Sequence, residues 1–186
     1  MEFILTGGFS FILFYLFDYF NMKGKVLYKI ACAFSGLVLI IYSTINIPNF
    51  NKNYYIGNSL RNFFLLLSLI FLFLLIYSLF LELPFSKTYG GKKYNDGLVD
   101  TGTYALCRHP GVLWFFFMYL FYALYTESVP LLMAGLIWTS LDVIYVVLQE
   151  KYFFIKIFKD YEEYKKSTPM LIPNVESWKR CFKTIK

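Results

Sequence analysis

The chain has 186 residues, of which 58% are hydrophobic, 23% aromatic and only 16% charged, against roughly 25% charged in an average soluble domain. Its charges are crowded between long apolar runs, the pattern of a membrane protein. The net charge of +6 comes with no basic face carrying polar readout and no nucleic-acid motif, which excludes nucleic acid as a partner. Cys32, Cys107 and Cys181 show neither a CxxC pair nor zinc spacing, so the sequence supports no disulfide framework and no metal site.

A helix crossing the hydrocarbon core needs about 20 mostly apolar residues, within a range of about 17–25. Five stretches meet that requirement in chain order. The first, about Phe3 to Phe20, has Glu2 rather than basic residues ahead of it and reads as a retained span, not a cleaved signal; it carries Asp18 near its end. The second runs from about Val26 to Ile47 and is closed by Pro48, and the third from about Asn62 to Leu83, closed by Pro84. The fourth begins at Pro110 and ends near Thr126. The fifth starts near Ser128 and Pro130 and ends around Gln149–Glu150. Only Thr126-Glu127-Ser128 joins these last two, so they must form an antiparallel hairpin.

Lysine and arginine placement sets the orientation. Lys23 and Lys25 follow the first span, Lys87, Lys92, Lys93 and Arg108 follow the third, and Lys151, Lys156, Lys159, Lys165 and Lys166 follow the fifth. Only Lys52 and Arg61 fall between the second and third. Five spans with the N-terminus outside and the C-terminus in the cytoplasm fit this bias. The fold class is therefore an all-α integral membrane bundle with a C-terminal hairpin and a cytoplasmic tail. Within that tail, the stretch Lys151–Lys166 places Phe154, Ile157, Phe158 and Tyr161 at helical spacing and predicts one amphipathic helix on the membrane surface, stopped before Pro169. Trp178 reads as an interfacial anchor.

Polar residues gather at two places that the hairpin brings to the same face. One is the loop Asp100 to Phe115. There Pro110 suits a first helical turn, and Arg108 and His109 stand just ahead of a helix N-terminus, which favours an anion. Against that, Arg108 reads equally as a headgroup anchor and His109, the one histidine, as a packed side chain. The other is Leu148 to Pro173, opened by Glu150. That carboxylate suits either a structural ion pair with Arg108 or Lys151, or the hydroxyls or amine of a cofactor. Asp142, within the fifth span, is costly in lipid and should face the bundle interior.

In this order, Gly102-Thr103-Tyr104, Arg108-His109-Pro110, Glu150, and Tyr161-Glu162-Glu163-Tyr164 leading to Pro169 and Pro173 resemble the isoprenylcysteine carboxyl methyltransferase and phospholipid methyltransferase superfamily. The resemblance covers about residues 95–175. It implies three N-terminal spans over residues 1–84 and a methyltransferase-like core over 85–186. It also implies S-adenosylmethionine as cofactor, with S-adenosylhomocysteine as product, in a pocket open to the cytoplasm. Arg108, His109 and Glu150 would be its catalytic residues. Gly102, Tyr104, Arg108, His109, Glu150, Tyr161, Tyr164 and Pro173 would bind the cofactor. The substrate would be a lipid or lipidated molecule, carrying an isoprenylcysteine-like carboxylate or a lipid headgroup, arriving sideways from the bilayer. The family's Glu-Glu pair is reduced here to Gln149-Glu150 or Glu150-Lys151, and Tyr145 stands near the place where the family often has an arginine. The alternatives are an NADPH-dependent membrane reductase, or a non-catalytic membrane protein that keeps the fold.

Overall fold

The computed structural model describes residues 1–47, 54–83 and 98–184, and these are helical wherever they are regular. Pro48, Lys52, Pro84, Lys87, Lys92 and Lys93, which helped to set span ends and orientation, lie outside the described residues, as does the expected division at 84/85. In chain order the helices are α1 (Glu2–Met22), α2 (Val26–Asn46), α3 (Asn58–Ile76, extended by a π-helical turn Tyr77–Glu82), a short α4 (Thr103–Leu106), α5 (Pro110–Thr126) and α6 (Val129–Gln149). Beyond α6 the chain continues through a second π-helical turn, Glu150–Phe154, and a last turn, Ile155–Ile157. Two short helices follow, α7 (Tyr161–Ser167) and α8 (Val175–Thr184).

Four helical runs are long and apolar enough to cross a membrane: Glu2–Met22, Val26–Asn46, Asn58–Glu82 and Val129–Ile157. Pro110–Thr126, at 17 residues, is the shorter fifth. At 1.5 Å per residue it spans about 25 Å, near the lower limit for the roughly 30 Å hydrocarbon core. Large apolar side chains such as Leu5, Phe34, Leu66, Phe73 and Ile144 cover the outer surface, as expected of a bundle solvated by lipid.

α1 packs on α2, α6 on α1, α5 on α6 and α3 on α5. Lys23-Gly24-Lys25 turns the chain between α1 and α2, with Gly24 at φ +67°. The expected hairpin is present: Glu127 closes α5 in the left-handed conformation, and the Ser128 side chain accepts from Leu131 N–H to start α6. The core joins Phe11 of α1, Ile40 of α2, Tyr119 and Ala123 of α5, and Leu131, Ala134 and Trp138 of α6. Trp138 lies directly against Gly7, where any side chain would overlap its ring, and donates its indole N–H to the Ile4 carbonyl at 2.8 Å.

The tail differs from expectation. Lys151–Lys166 is not one surface helix. Its first half continues the fifth span to Ile157, the chain breaks at Phe158, and α7 begins at Tyr161. The contacts of Arg108 explain the break: it binds both Glu150 and the Thr168 carbonyl, which one straight helix would hold about 27 Å apart. The strongly amphipathic helix is instead α8, which sequence reading reduced to a single anchoring tryptophan.

Candidate active site

α6 reaches the site by its length. Glu150 stands 21 residues beyond Val129, so a helical rise of 1.5 Å per residue sets it about 31 Å along the axis, at the edge of a hydrocarbon core about 30 Å thick. The N-terminus of α5 arrives at the same level because the hairpin is tight. His109 is the N-cap residue and Pro110 the first helical residue, whose missing N–H costs nothing there.

Arg108, His109 and Glu150 meet. Arg108 grips the Glu150 carboxylate through two hydrogen bonds, Nε to Oε1 at 2.8 Å and Nη2 to Oε2 at 3.1 Å. His109 Nε2 lies 2.8 Å from Glu150 Oε1. The ion pair is nearly closed off, its side chains 9% and 11% exposed. Arg108 Nη1 also donates to the carbonyls of Lys165 and Thr168, at 3.2 and 2.7 Å. Of the ion-pair partners that the sequence offered Glu150, Arg108 is the one it meets. Four of the five guanidinium N–H groups are thereby used, leaving one on Nη2 without a hydrogen bond among the described residues.

The backbone repeats this tie. Arg108 N–H donates to the Pro169 carbonyl at 2.9 Å and His109 N–H to the Met170 carbonyl at 3.2 Å. The segment Thr168-Pro169-Met170 is thus strapped along Arg108-His109. Pro169 gives a clean end to α7, and its lack of a donor is harmless because only its carbonyl is needed.

Burial holds the His109 imidazole below its ordinary pKa of 6.5, opposed by the hydrogen bond to Glu150. A neutral ring facing a carboxylate must donate from Nε2, which leaves Nδ1 with the lone pair. The ring also stacks on Phe154, centroids 5.9 Å apart. Tyr161 is buried, and burial together with the charge of Glu150 holds its phenol above the ordinary value of 10, so it remains an O–H donor. That hydroxyl faces the Arg108–Glu150 pair without completing a hydrogen bond of good geometry among the described residues.

The remaining expected residues stand around this cluster. Tyr164 donates to the Tyr104 carbonyl at 2.6 Å, and Tyr104 donates to the Ser78 carbonyl at 3.1 Å, so the two tyrosines stitch α7, α4 and the end of α3 together. Gly102 takes φ +58° and donates its N–H to Thr184 Oγ1 at 2.9 Å. Pro173 leads into Asn174, which caps α8, and makes none of the cluster's hydrogen bonds. Asp142 is half-buried on α6, on the same helical face as Glu150 by spacing.

Two supports were missed. Glu82 accepts from the backbone N–H of Thr103 at 2.7 Å and from its hydroxyl, capping α4. Asp18 accepts from Tyr145 Oη at 2.6 Å and Gln149 Nε2 at 2.7 Å, locking α1 to the turn of α6 that precedes Glu150. Asp18 carried a signal, as a carboxylate inside a span. Its partner on α6, 127 residues away in sequence, did not.

The residues present suit a cofactor with both charges and hydroxyls. The buried Tyr161 hydroxyl, the spare N–H of Arg108 and the second lone pair of Glu150 Oε2 are unfilled polar positions around one point. No curated protein and no solved structure matches the chain. The family model described as phospholipid methyltransferase matches residues 60–161, from α3 through the hairpin to Tyr161. Its match takes in the third span as well as most of the motif-bearing stretch. With more than half of its length matched and with its Arg-His-Pro and Glu150 brought into contact, the chain belongs to the phospholipid methyltransferase family of membrane proteins.

Proposed function

We propose that the protein transfers a methyl group from S-adenosylmethionine to a lipophilic acceptor at the membrane face that carries Arg108 and Glu150. The observation that carries this is the convergence of Arg108, His109, Glu150 and Tyr161 at the end of a membrane hairpin, in a chain of the phospholipid methyltransferase family. When bound, the cofactor supplies an electrophilic methyl on a sulfonium, a chemistry in which the protein acts mainly by alignment and exclusion of water.

The chain's own groups divide that work. The Tyr161 hydroxyl and the free N–H of Arg108 donate to the cofactor's polar groups, and Glu150 Oε2 accepts from its amine or hydroxyls. The N-terminus of α5 favours the cofactor's carboxylate. His109, oriented by Glu150, takes at Nδ1 the proton released by a protonated acceptor. The strap Thr168–Met170 covers the pair from water. The acceptor is a lipid headgroup or a lipidated carboxylate that approaches between helices. The same reading puts the N-terminus outside and the site in the cytoplasm, since Lys23, Lys25, Lys151, Lys156 and Lys159 share that face.

Calorimetric titration of purified protein in detergent with S-adenosylhomocysteine and with NADPH tests this. S-adenosylhomocysteine should bind and NADPH should not. Tyr161→Phe should weaken the first about fivefold, the worth of one hydrogen bond near 1 kcal/mol. Binding of NADPH alone would make the protein a reductase. Binding of neither by folded protein would leave a fold without its chemistry.

A further inference from the structure

α8 carries an apolar surface that nothing among the described residues covers. Val175, Trp178 and Phe182 are 71%, 46% and 70% exposed, and Ile172 just ahead of the helix is exposed as well. At 100° per residue the three helical positions fall within an arc of about 60°. Trp178 and Phe182 stack on each other, centroids 5.6 Å apart, so the arc is one continuous patch. Lys179 and Lys183, both exposed, flank it on one side. On the other side Cys181 is buried against Ala105 and Leu106 of α4, with Trp114 packed on the same cluster. The helix therefore has a protein face, an apolar face and a cationic edge.

Its height is fixed by contacts. Trp114 belongs to the first turns of α5, where that helix enters the bilayer, so α8 lies level with the membrane boundary. Arg180 donates to the Ser167 carbonyl and to Thr168 Oγ1, the latter at 3.1 Å, and Thr184 accepts from Gly102. Asn174 and Ser177 cap the helix reciprocally, side chain to backbone at 2.8 and 2.9 Å, so its N-terminal turn needs no outside partner.

We infer that α8 docks on the surface of the same bilayer that the bundle spans, with Val175, Trp178 and Phe182 in the headgroup–acyl boundary and Lys179 and Lys183 against anionic headgroups. Three observations choose lipid as the occupant. The helix that carries the patch packs through Cys181 on the cluster joined by Trp114, in the first turns of membrane-spanning α5. Its lysines border the apolar arc as they do in interfacial helices. Their positive charge matches an anionic leaflet. Because α8 also holds Thr168 and Gly102, docking braces both walls around Arg108. The inference rests on the membrane-spanning architecture and holds whatever ligand the Arg108 site takes.

The test uses full-length protein in a Cys32→Ser background, with a nitroxide placed at Phe182→Cys or Lys183→Cys. The protein is reconstituted in vesicles of phosphatidylcholine alone or mixed with phosphatidylserine. Native Cys107 and Cys181 are buried and stay unlabelled. The ratio of oxygen to water-soluble nickel accessibility should be several-fold higher at 182 than at 183, and phosphatidylserine should raise it further. Trp178→Cys, on the same arc, should repeat the result at 182. K179Q/K183Q, read with the nitroxide at 182, should abolish the effect of phosphatidylserine and leave the ratio in pure phosphatidylcholine unchanged. Equal water accessibility at 182 and 183 would overturn the inference. Protection of 182 from both reagents, with dipolar broadening, would also overturn it, by showing that a second copy covers the patch.

Discussion

Arg108 holds Glu150 by two parallel hydrogen bonds across the open end of the hairpin, and the same guanidinium holds the carbonyls of Lys165 and Thr168. One side chain thus joins the start of α5, the end of α6 and the tail. Removing one partner of a buried ion pair costs roughly 3–5 kcal/mol, because the other charge stays buried. Arg108→Ala and Glu150→Ala should each lower the melting temperature in detergent markedly. The double variant should lose less than the two combined, by on the order of 1–3 kcal/mol. Strict additivity would mean that the pair is not energetically coupled. Arg108→Lys should behave much like the alanine variant, since an ammonium cannot make the paired contact.

His109 is the chain's one histidine, the side chain type whose ordinary pKa lies nearest neutrality. Burial holds its folded pKa below the ordinary 6.5. The unfolded chain therefore binds the extra proton first as the pH drops, and stability present above about pH 6.5 is lost through the window below it. Melting temperature measured from pH 7.5 to 5.5 should fall in the wild type. His109→Asn should flatten that slope; an unchanged slope would place the proton elsewhere.

Tyr161→Phe removes a buried hydroxyl that completes no good hydrogen bond among the described residues. Because an unpaired buried hydroxyl is costly, such a deletion should leave thermal stability unchanged or slightly raised. A large loss of stability would show that the hydroxyl is structurally engaged and would remove it from the ligand-facing set.

Gly102→Ala should be severe for two reasons: the backbone sits at φ +58°, and a Cβ there would overlap the Glu82 carboxylate that caps α4. Strain of this kind costs on the order of 1–3 kcal/mol before any overlap is counted. Protease susceptibility of the segment around Thr103 is the direct measurement, and it should rise sharply.

Cys107 is fully buried, and burial pushes its thiol up to about 12. It should resist maleimide at pH 8 for as long as the protein is folded, and react on denaturation. Mass spectrometry of labelled peptides separates it from Cys32.

Hydropathy placed the spans because lipid is a uniform solvent and each helix answers to it separately. α5 from Pro110 to Thr126 was legible to the residue, since a proline starts it and a polar turn ends it. Arg108, His109 and Glu150 were legible as a group because a three-residue turn leaves no freedom in where the two ends of the hairpin go. Glu82 and the Asp18–Tyr145–Gln149 set were not. Glu82 stands at the end of an apolar run, and its partner Thr103 lies 21 residues on. Asp18 announced a cost but not who offsets it. The break before α7 was hidden as well, because Phe154, Ile157 and Tyr161 keep helical spacing even though the chain leaves the helix at Phe158.

The π-helical turn Glu150–Phe154 sets two registers on one rod. A turn of this kind holds one extra residue, so the positions below it and those above it are out of phase by about 100°. Below it, Tyr145 and Gln149 are tuned to Asp18; across and above it, Glu150 and Phe154 are tuned to Arg108 and His109. Chain length between Tyr145 and Phe154 is therefore constrained more tightly than residue identity. Exposed Lys151 and Tyr152 can be exchanged freely, while inserting or removing one residue would turn either the Asp18 contacts or the site away from their partners.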